Sequence, residues 1–341
     1  KECPTIMKRM FRFCLPLLFV LASPALQAYE KRVLCVWDIV GNAGPIADAV
    51  KEYQLEALKW GVELEVQVNT SERVITEQFR AKQCDAAIVS ELRSRTFVKY
   101  AGSLFAVGAI PDTDHLRLMH QLLATPQSAS NMREGPFEVA GIVPGGAVYV
   151  FVRDRSINSL NKAIGRKVAV MGDDKYQQQM VELIGATPIS VTEATAGSMF
   201  NNGAVDVLPA PAVAYGPLEL YRGLAPNGGI IRFPLSQISA QLLIWHERFP
   251  AEYGQKSREY FFANIDRALH EISKAEQQID EKWWVDIPDE DKAKYEILMD
   301  ETRIKAVEAG YWDGEMIKLQ RRVRCKFDPR RAECSKPRDA L

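Results

Sequence analysis

The chain is short of the groups from which active sites are usually built. It has only four histidines in 341 residues, at positions 115, 120, 246 and 270. None shows H-E-x-x-H or another paired metal spacing, so they read as surface or core residues. No G-x-S-x-G elbow, G-x-G-x-x-G turn or G-x-x-x-x-G-K phosphate cradle occurs. Gly41-Asn-Ala-Gly44 alone is too little for a nucleotide site. The six cysteines never fall as C-x-x-C, which argues against zinc or dithiol redox chemistry. The expectation is a protein that is not an enzyme and needs no cofactor.

An excess of either charge is missing too. Lys and Arg number 43 against 44 Asp and Glu, a formal net charge of −1, so no basic surface advertises nucleic acid. No apolar run reaches the ~20 residues of a membrane span. Apolar content of 47% and charged content of 26% are enough for a real core.

What is present begins at the amino terminus. Met7 precedes Lys8, Arg9 and Arg12, then an apolar run at 13–22, then Ser-Pro-Ala-Leu-Gln-Ala. That is the order of a secretory signal peptide cleaved after Ala28, with a membrane anchor as the alternative. The expected location is the periplasm. Removing 1–28 takes away four bases and one acid and leaves a net charge of −4. Export would place Cys35, Cys84, Cys325 and Cys334 in an oxidising compartment. Cys325 and Cys334 flank the Pro-containing turn K-F-D-P-R-R-A-E and are expected to pair. For Cys35 and Cys84, each in an apolar run, a bridge and buried thiols both stay open.

Residues 156–211 organise the rest. A polar turn, a short apolar run at 167–171, a helix-length segment, a second strand after Gly-Ala-Thr-Pro, another helix and a last run at 204–208 make βαβ units with a parallel sheet. Residues 32–90 repeat that rhythm: strands at 32–38, 63–68 and 84–90, helices at 46–60 and 72–82. Pro45 suits a first helical turn, and Thr70-Ser71-Glu72 can cap the second helix. Strand-rich crossings are expected at 137–152 and, as two pieces, at 229–233 and 240–245. A long helix at 251–284, interrupted before further helices at 290–310 and 315–324, completes the chain. The fold class is therefore α/β, two hinged lobes with crossing strands and a helical carboxyl-terminal tail. Expected boundaries are 29–138 for lobe 1, 139–240 for lobe 2, and 241–341 for the return to lobe 1 and the final helices.

The segments Ile157-Asn-Ser-Leu, Gly165-Arg-Lys-Val168, Gly185-Ala-Thr-Pro188, Asn202-Gly-Ala-Val-Asp206 and Trp245-His-Glu-Arg-Phe-Pro250, in this order, resemble the solute-binding proteins of TRAP-type transporters. More narrowly the chain is similar to the AdeT-type branch, whose members have also been labelled parts of multidrug or aminoglycoside efflux. The resemblance implies a two-lobe periplasmic-binding-protein fold of the type II-like kind, capture of a small-molecule ligand between lobes and delivery to inner-membrane transporter subunits. An accessory factor of an envelope or efflux system, acting through protein contact, is the alternative. One departure concerns the ligand. The family usually carries an Arg two positions after the Lys of Gly-x-Lys to grip a carboxylate; here that position is Ala169. Arg93, Arg95 or Arg153 would have to replace it, or the ligand is not a simple carboxylate.

Ligands of open parallel sheets lie beyond the carboxyl ends of the strands. Asp38 and Asn42 follow the first strand, with capping of the strand-to-helix loop as the other reading of Asp38. Ser90, Glu91 and Arg93 follow the third, where a solvated helix start is the alternative. Met171, Gly172 and Asp173 end a second-lobe strand and Tyr176 opens the next helix; core packing is the competing role of the aromatic. Pro211 and Tyr215 end the last parallel strand, and Gln237 lies on the return crossing with Ser239. Trp283 and Trp284 read as helix-packing residues.

Overall fold

The computed structural model describes Glu2 and residues 29–172, 174–335 and 337. The signal-peptide reading and Asp173 lie outside them. Eight principal strands form one continuous sheet: β1 (Glu30–Trp37), β2 (Val62–Asn69), β3 (Ala86–Ser90), β4 (Phe137–Val152), β5 (Lys167–Met171), β6 (Thr187–Val191), β7 (Val207–Pro211) and β8 (Gly229–Trp245). The spatial order is β2-β1-β3-β8-β4-β7-β5-β6. Each half thus has its first parallel strand second from the edge, its second strand outside it, and an antiparallel long strand closing the set. The two halves are one arrangement used twice, joined where β4 pairs with β8.

Each half has its own core. β1 is buried on both faces: Leu34 and Val36 pack with Tyr53, Ile88 and Tyr253, while Cys35 faces Phe79, Val89 and Leu104. Alternation of side chains across a strand produces that division, and burial on both sides is why the run reads as continuously apolar. In the second half Ala169, Phe151, Phe200 and Leu208 share a cluster. Helix starts follow local chemistry. Pro45 stands at the first position of the helix Pro45–Lys59, Ser71 accepts the Val74 amide at the head of Glu72–Arg80, and Asp112 accepts the His115 amide before Thr113–Ala124; such caps hold about 1 kcal/mol each.

The long strands carry the chain from lobe to lobe. Their pairing slips at Val139/Gly141, Pro144/Gly146 and Val148/Val150, and Gly146 has φ +94°, a conformation that glycine adopts without a Cβ penalty. The return crossing is one 17-residue strand rather than the two pieces expected. Its middle, Phe233-Pro-Leu-Ser-Gln-Ile238, breaks the apolar pattern but stays in the ladder from Ser236 onward.

The expected helix at 251–284 is a second correction. It is divided at Asn264 into Tyr253–Ala263 and Ile265–Gln277. Asn264 leaves helical geometry while its amide side chain bonds the Tyr260 carbonyl at 2.8 Å, local competition typical of asparagine. Trp283 and Trp284 lie beyond the helix: Trp284 pairs with Ile230 of β8 and meets the Tyr149 ring edge-on at 5.0 Å. The helices Asp289–Glu308 and Gly314–Phe327 follow, and their Ala306, Met316 and Val323 enter the lobe 1 core.

Both disulfides form. Cys325–Cys334 closes the carboxyl-terminal turn as expected. Cys35–Cys84 ties β1 to the segment entering β3, and both of its cysteines are buried.

Candidate functional site

A cavity of about 250 Å³ opens beside the carboxyl end of β3, walled mostly by lobe 1 and closed by one residue of lobe 2. Its lobe 1 wall comes from the helix Glu72–Arg80 and from the single helical turn Glu91–Ser94 that follows β3, with Arg95 next. Lobe 2 contributes Asp174, the residue capping the helix Lys175–Leu183. Four arginines line this space, Arg73, Arg80, Arg93 and Arg95, against the carboxylates of Glu77 and Asp174.

Arg93 reaches both lobes. Its Nε donates to Glu72 Oε2 at 3.3 Å, and its Nη2 donates to Glu193 Oε1 at 3.2 Å. Glu72 belongs to lobe 1 and Glu193 to the loop after β6. Glu72 is buried and also accepts the Ser90 amide at 2.5 Å. Burial raises its pKa to about 7; Glu193 adds to the rise, while Ser90 and Arg93 oppose it. Glu91, buried at the start of the turn after β3, takes the amide and hydroxyl of Ser239 at 2.6 and 3.0 Å. Desolvation pushes its pKa up to about 8 despite those bonds.

Arg95 makes the second crossing. Its guanidinium lies 3.7 Å from Asp174 Oδ2 and 3.7 Å from the centre of the Tyr311 ring. The Tyr311 hydroxyl donates to the same Asp174 oxygen at 2.5 Å. On its other side Tyr311 stacks on Tyr176 at 4.3 Å, and the Tyr176 hydroxyl donates to the Thr302 carbonyl at 2.8 Å. The Arg95 Nη1 is buried without a hydrogen-bond partner among the described residues. An unanswered donor of that kind costs free energy unless something accepts from it.

The residues singled out from sequence fall into three groups. Ser90, Glu91, Arg93 and Tyr176 stand at or beside the inter-lobe contacts. Asp38 takes its alternative role: its carboxylate accepts the amides of Val40, Ile46 and Ala47 at 2.9, 2.8 and 3.1 Å. Gly44 makes room for it, since a Cβ there would lie 1.8 Å from Asp38 Oδ1. Asn42 is exposed on the neighbouring turn, and Gln237 is buried on β8. Met171 and Tyr215 pack against the lobe 2 core, with Pro211 half-buried at the end of β7. Tyr215 meets Tyr221 edge-on at 6.1 Å, so its ring is engaged within that lobe.

Ala169 is part of the lobe 2 core, while the four arginines that line the cavity belong to lobe 1. Arg153 is spent on the end of the helix Ala196–Asn201, donating to the Phe200 and Asn201 carbonyls at 2.7 and 3.0 Å. Glu72, Asp174, Glu193 and Tyr311 were not legible as site residues. Asp174 alone carried a local signal, an Asx cap ahead of a helix, and a cap reads first as structure.

Among the described residues no group of three or more metal-ligating side chains occurs, and no helix is long and apolar enough to cross a membrane. The family model for solute-binding protein AdeT 1/2 matches residues 46–339. The probable solute-binding protein AdeT1 of Acinetobacter baumannii is 42% identical over 300 residues, which is 88% of this chain and 99% of that protein. Among solved structures, a TRAP periplasmic solute-binding protein from Desulfovibrio salexigens with bound orotic acid superposes with a TM-score of 0.68 at 16% identity, over 87% of this chain and 99% of that one. Its counterpart from Haemophilus influenzae with bound L-gulonate gives 0.70 at 12% identity, over 86% and 99%.

Proposed function

The chain belongs to the AdeT 1/2 family of solute-binding proteins, and from that premise we propose that it captures a small acidic solute between its lobes in the periplasm and delivers it to inner-membrane transporter subunits. One observation carries the choice of solute: Arg93 and Arg95 of lobe 1, which also touch Glu193 and Asp174 of lobe 2, line a cavity with two further arginines and only two carboxylates. The lining itself favours an anion although Glu72 and Glu193 hold Arg93 from outside it, and the buried Arg95 Nη1, without a partner among the described residues, offers a donor for one of its oxygens. The size fits a compact metabolite rather than a bulky polycation. The fold relatives with orotic acid and L-gulonate bound hold acids of that size. Export is supported by two disulfides and by the signal-like segment before residue 29. In this reading lobe closure excludes water and strengthens each polar contact, and no bond of the solute is made or broken.

The test is a thermal-shift screen of the exported chain against organic acids, sugar acids, amino acids, polyamines and aminoglycosides. A ligand at about 100 times its dissociation constant adds ~2.7 kcal/mol of stability. Shifts confined to acids support the proposal. Shifts confined to cations overturn the solute class, and no shift with any compound favours a partner protein as the true ligand.

A further inference from the structure

The turn after β3 has two faces with different partners. Inward, Glu91 accepts both bonds from Ser239, and the Ser94 hydroxyl donates to Gln241 Oε1 at 2.5 Å. Gln241 Nε2 in turn donates to the Ala101 carbonyl at 2.9 Å. Glu91, Ser94, Ser239 and Gln241 are all buried. Outward, Arg93 and Arg95 reach Glu193 and Asp174 of lobe 2.

The inward partners are not placed at random. Ser239 and Gln241 lie on β8 opposite Pro144 and Ile142 of β4. That is the stretch where the chain crosses between lobes and where the register slips at Pro144/Gly146. We propose that Glu91 and Ser94 are positioning residues: they fasten the turn bearing Arg93 and Arg95 to the crossing strand, so that lobe angle and solute-site geometry are set together. The inference rests on the reading of the inter-lobe cavity as the solute site.

A buried polar set is a costly way to fill space, because each member must be satisfied or the fold loses stability. Apolar side chains would pack here without that demand. What they would lack is direction. Three hydrogen bonds fix the turn against one strand, and a rotation of that strand has to carry the two arginines with it.

The experiment compares the exported chain with its Glu91→Ala and Glu91→Gln variants, using hydrogen exchange of the 91–96 turn and calorimetric titration with orotate and L-gulonate. Glutamine keeps an oxygen for Ser239, so with both assays run near pH 4.5 Glu91→Gln should behave as the parent does. Glu91→Ala should speed exchange in the turn and weaken probe binding, each by about tenfold or more, although residue 91 lines no part of the cavity. If Glu91→Ala does not fold, Ser94→Ala is read in the same two assays, with the same direction of change expected. Unchanged exchange in the turn overturns the proposal, as does equal behaviour of the Ala and Gln variants. If neither probe binds the parent chain, the solute class is wrong, and the exchange arm still decides the tether.

Discussion

The Arg93 guanidinium of lobe 1 stands 3.2 Å from the Glu193 carboxylate of lobe 2, and the two side chains are about equally shielded from solvent. This pair has a consequence for affinity, because Glu193 competes with any acidic solute for the same cation. Glu193→Gln removes the competitor and its repulsion, so acids should bind several-fold more tightly. Arg93→Ala should weaken them by about tenfold or more, the usual scale for a partly buried charged contact. Calorimetric titration with an acid found in the screen checks both. The same direction of change in the two variants would count against the assignment.

Glu91 and Glu72 make stability depend on pH in an unusual sense. Burial raises both carboxyls from the ordinary 4.5, to about 8 and about 7. Between those limits the native chain keeps protons that the unfolded chain has lost, so their contribution is complete below about pH 4.5 and fades as pH rises through 7 to 8. Glu91→Gln takes one of these groups out of the balance. Relative to the parent it should gain stability progressively from pH 4.5 to 8 and no further above that. Urea midpoints across the range measure it; a constant difference would mean that Glu91 is ionised throughout.

The βαβ rhythm of both lobes could be read from sequence because strands buried on two faces announce themselves as apolar runs, as at 33–37 and 86–89. The crossing strand at 229–245 was harder, since Arg232, Ser236 and Gln237 interrupt its pattern without leaving the strand. The candidate site is legible at the strand end of Ser90, Glu91 and Arg93, at Tyr176 opening the next helix, and at Arg95 as one of the arginines named from sequence. Glu193 and Tyr311 lie 100 and 137 positions from the residues they bond. No periodicity or cap encodes a contact of that range. Asp38 shows the opposite limit: the sequence put it at the right strand end, but three backbone amides and the space left by Gly44 decided its role.

The disulfides should differ in weight. Cys35 and Cys84 are 49 positions apart and buried in lobe 1, whereas Cys325 and Cys334 are 9 apart at the carboxyl-terminal turn. Loop entropy alone assigns about 4 kcal/mol to the first and about 3 to the second. The first replacement also leaves two hydroxyls in an apolar core. Paired Cys→Ser variants should therefore rank in that order by thermal midpoint, and reductant should lower the parent toward the Cys35/Cys84 variant. A larger loss from the carboxyl-terminal pair would show that the final helix, and not β1, limits stability.

Tyr311 separates two ways in which the tail can hold the lobes together. The residue links the helices Asp289–Glu308 and Gly314–Phe327, both anchored in lobe 1, yet its hydroxyl bonds Asp174 and its ring stacks on Tyr176, both of lobe 2. Tyr311→Phe deletes one bond to a charged acceptor, worth roughly 1.5–3 kcal/mol, and keeps the sandwich of Arg95, ring and Tyr176. Tyr311→Ala removes the sandwich too, at a further ~0.5–1.5 kcal/mol for the aromatic pair and a loss of the platform under Arg95. If the ring is the strut, only the alanine variant should let the lobes separate and raise the radius of gyration in small-angle scattering. Equal expansion in both variants would assign closure to the single hydroxyl bond on Asp174, and no expansion in either would leave Arg93 and Glu193 as the contact that holds the cleft.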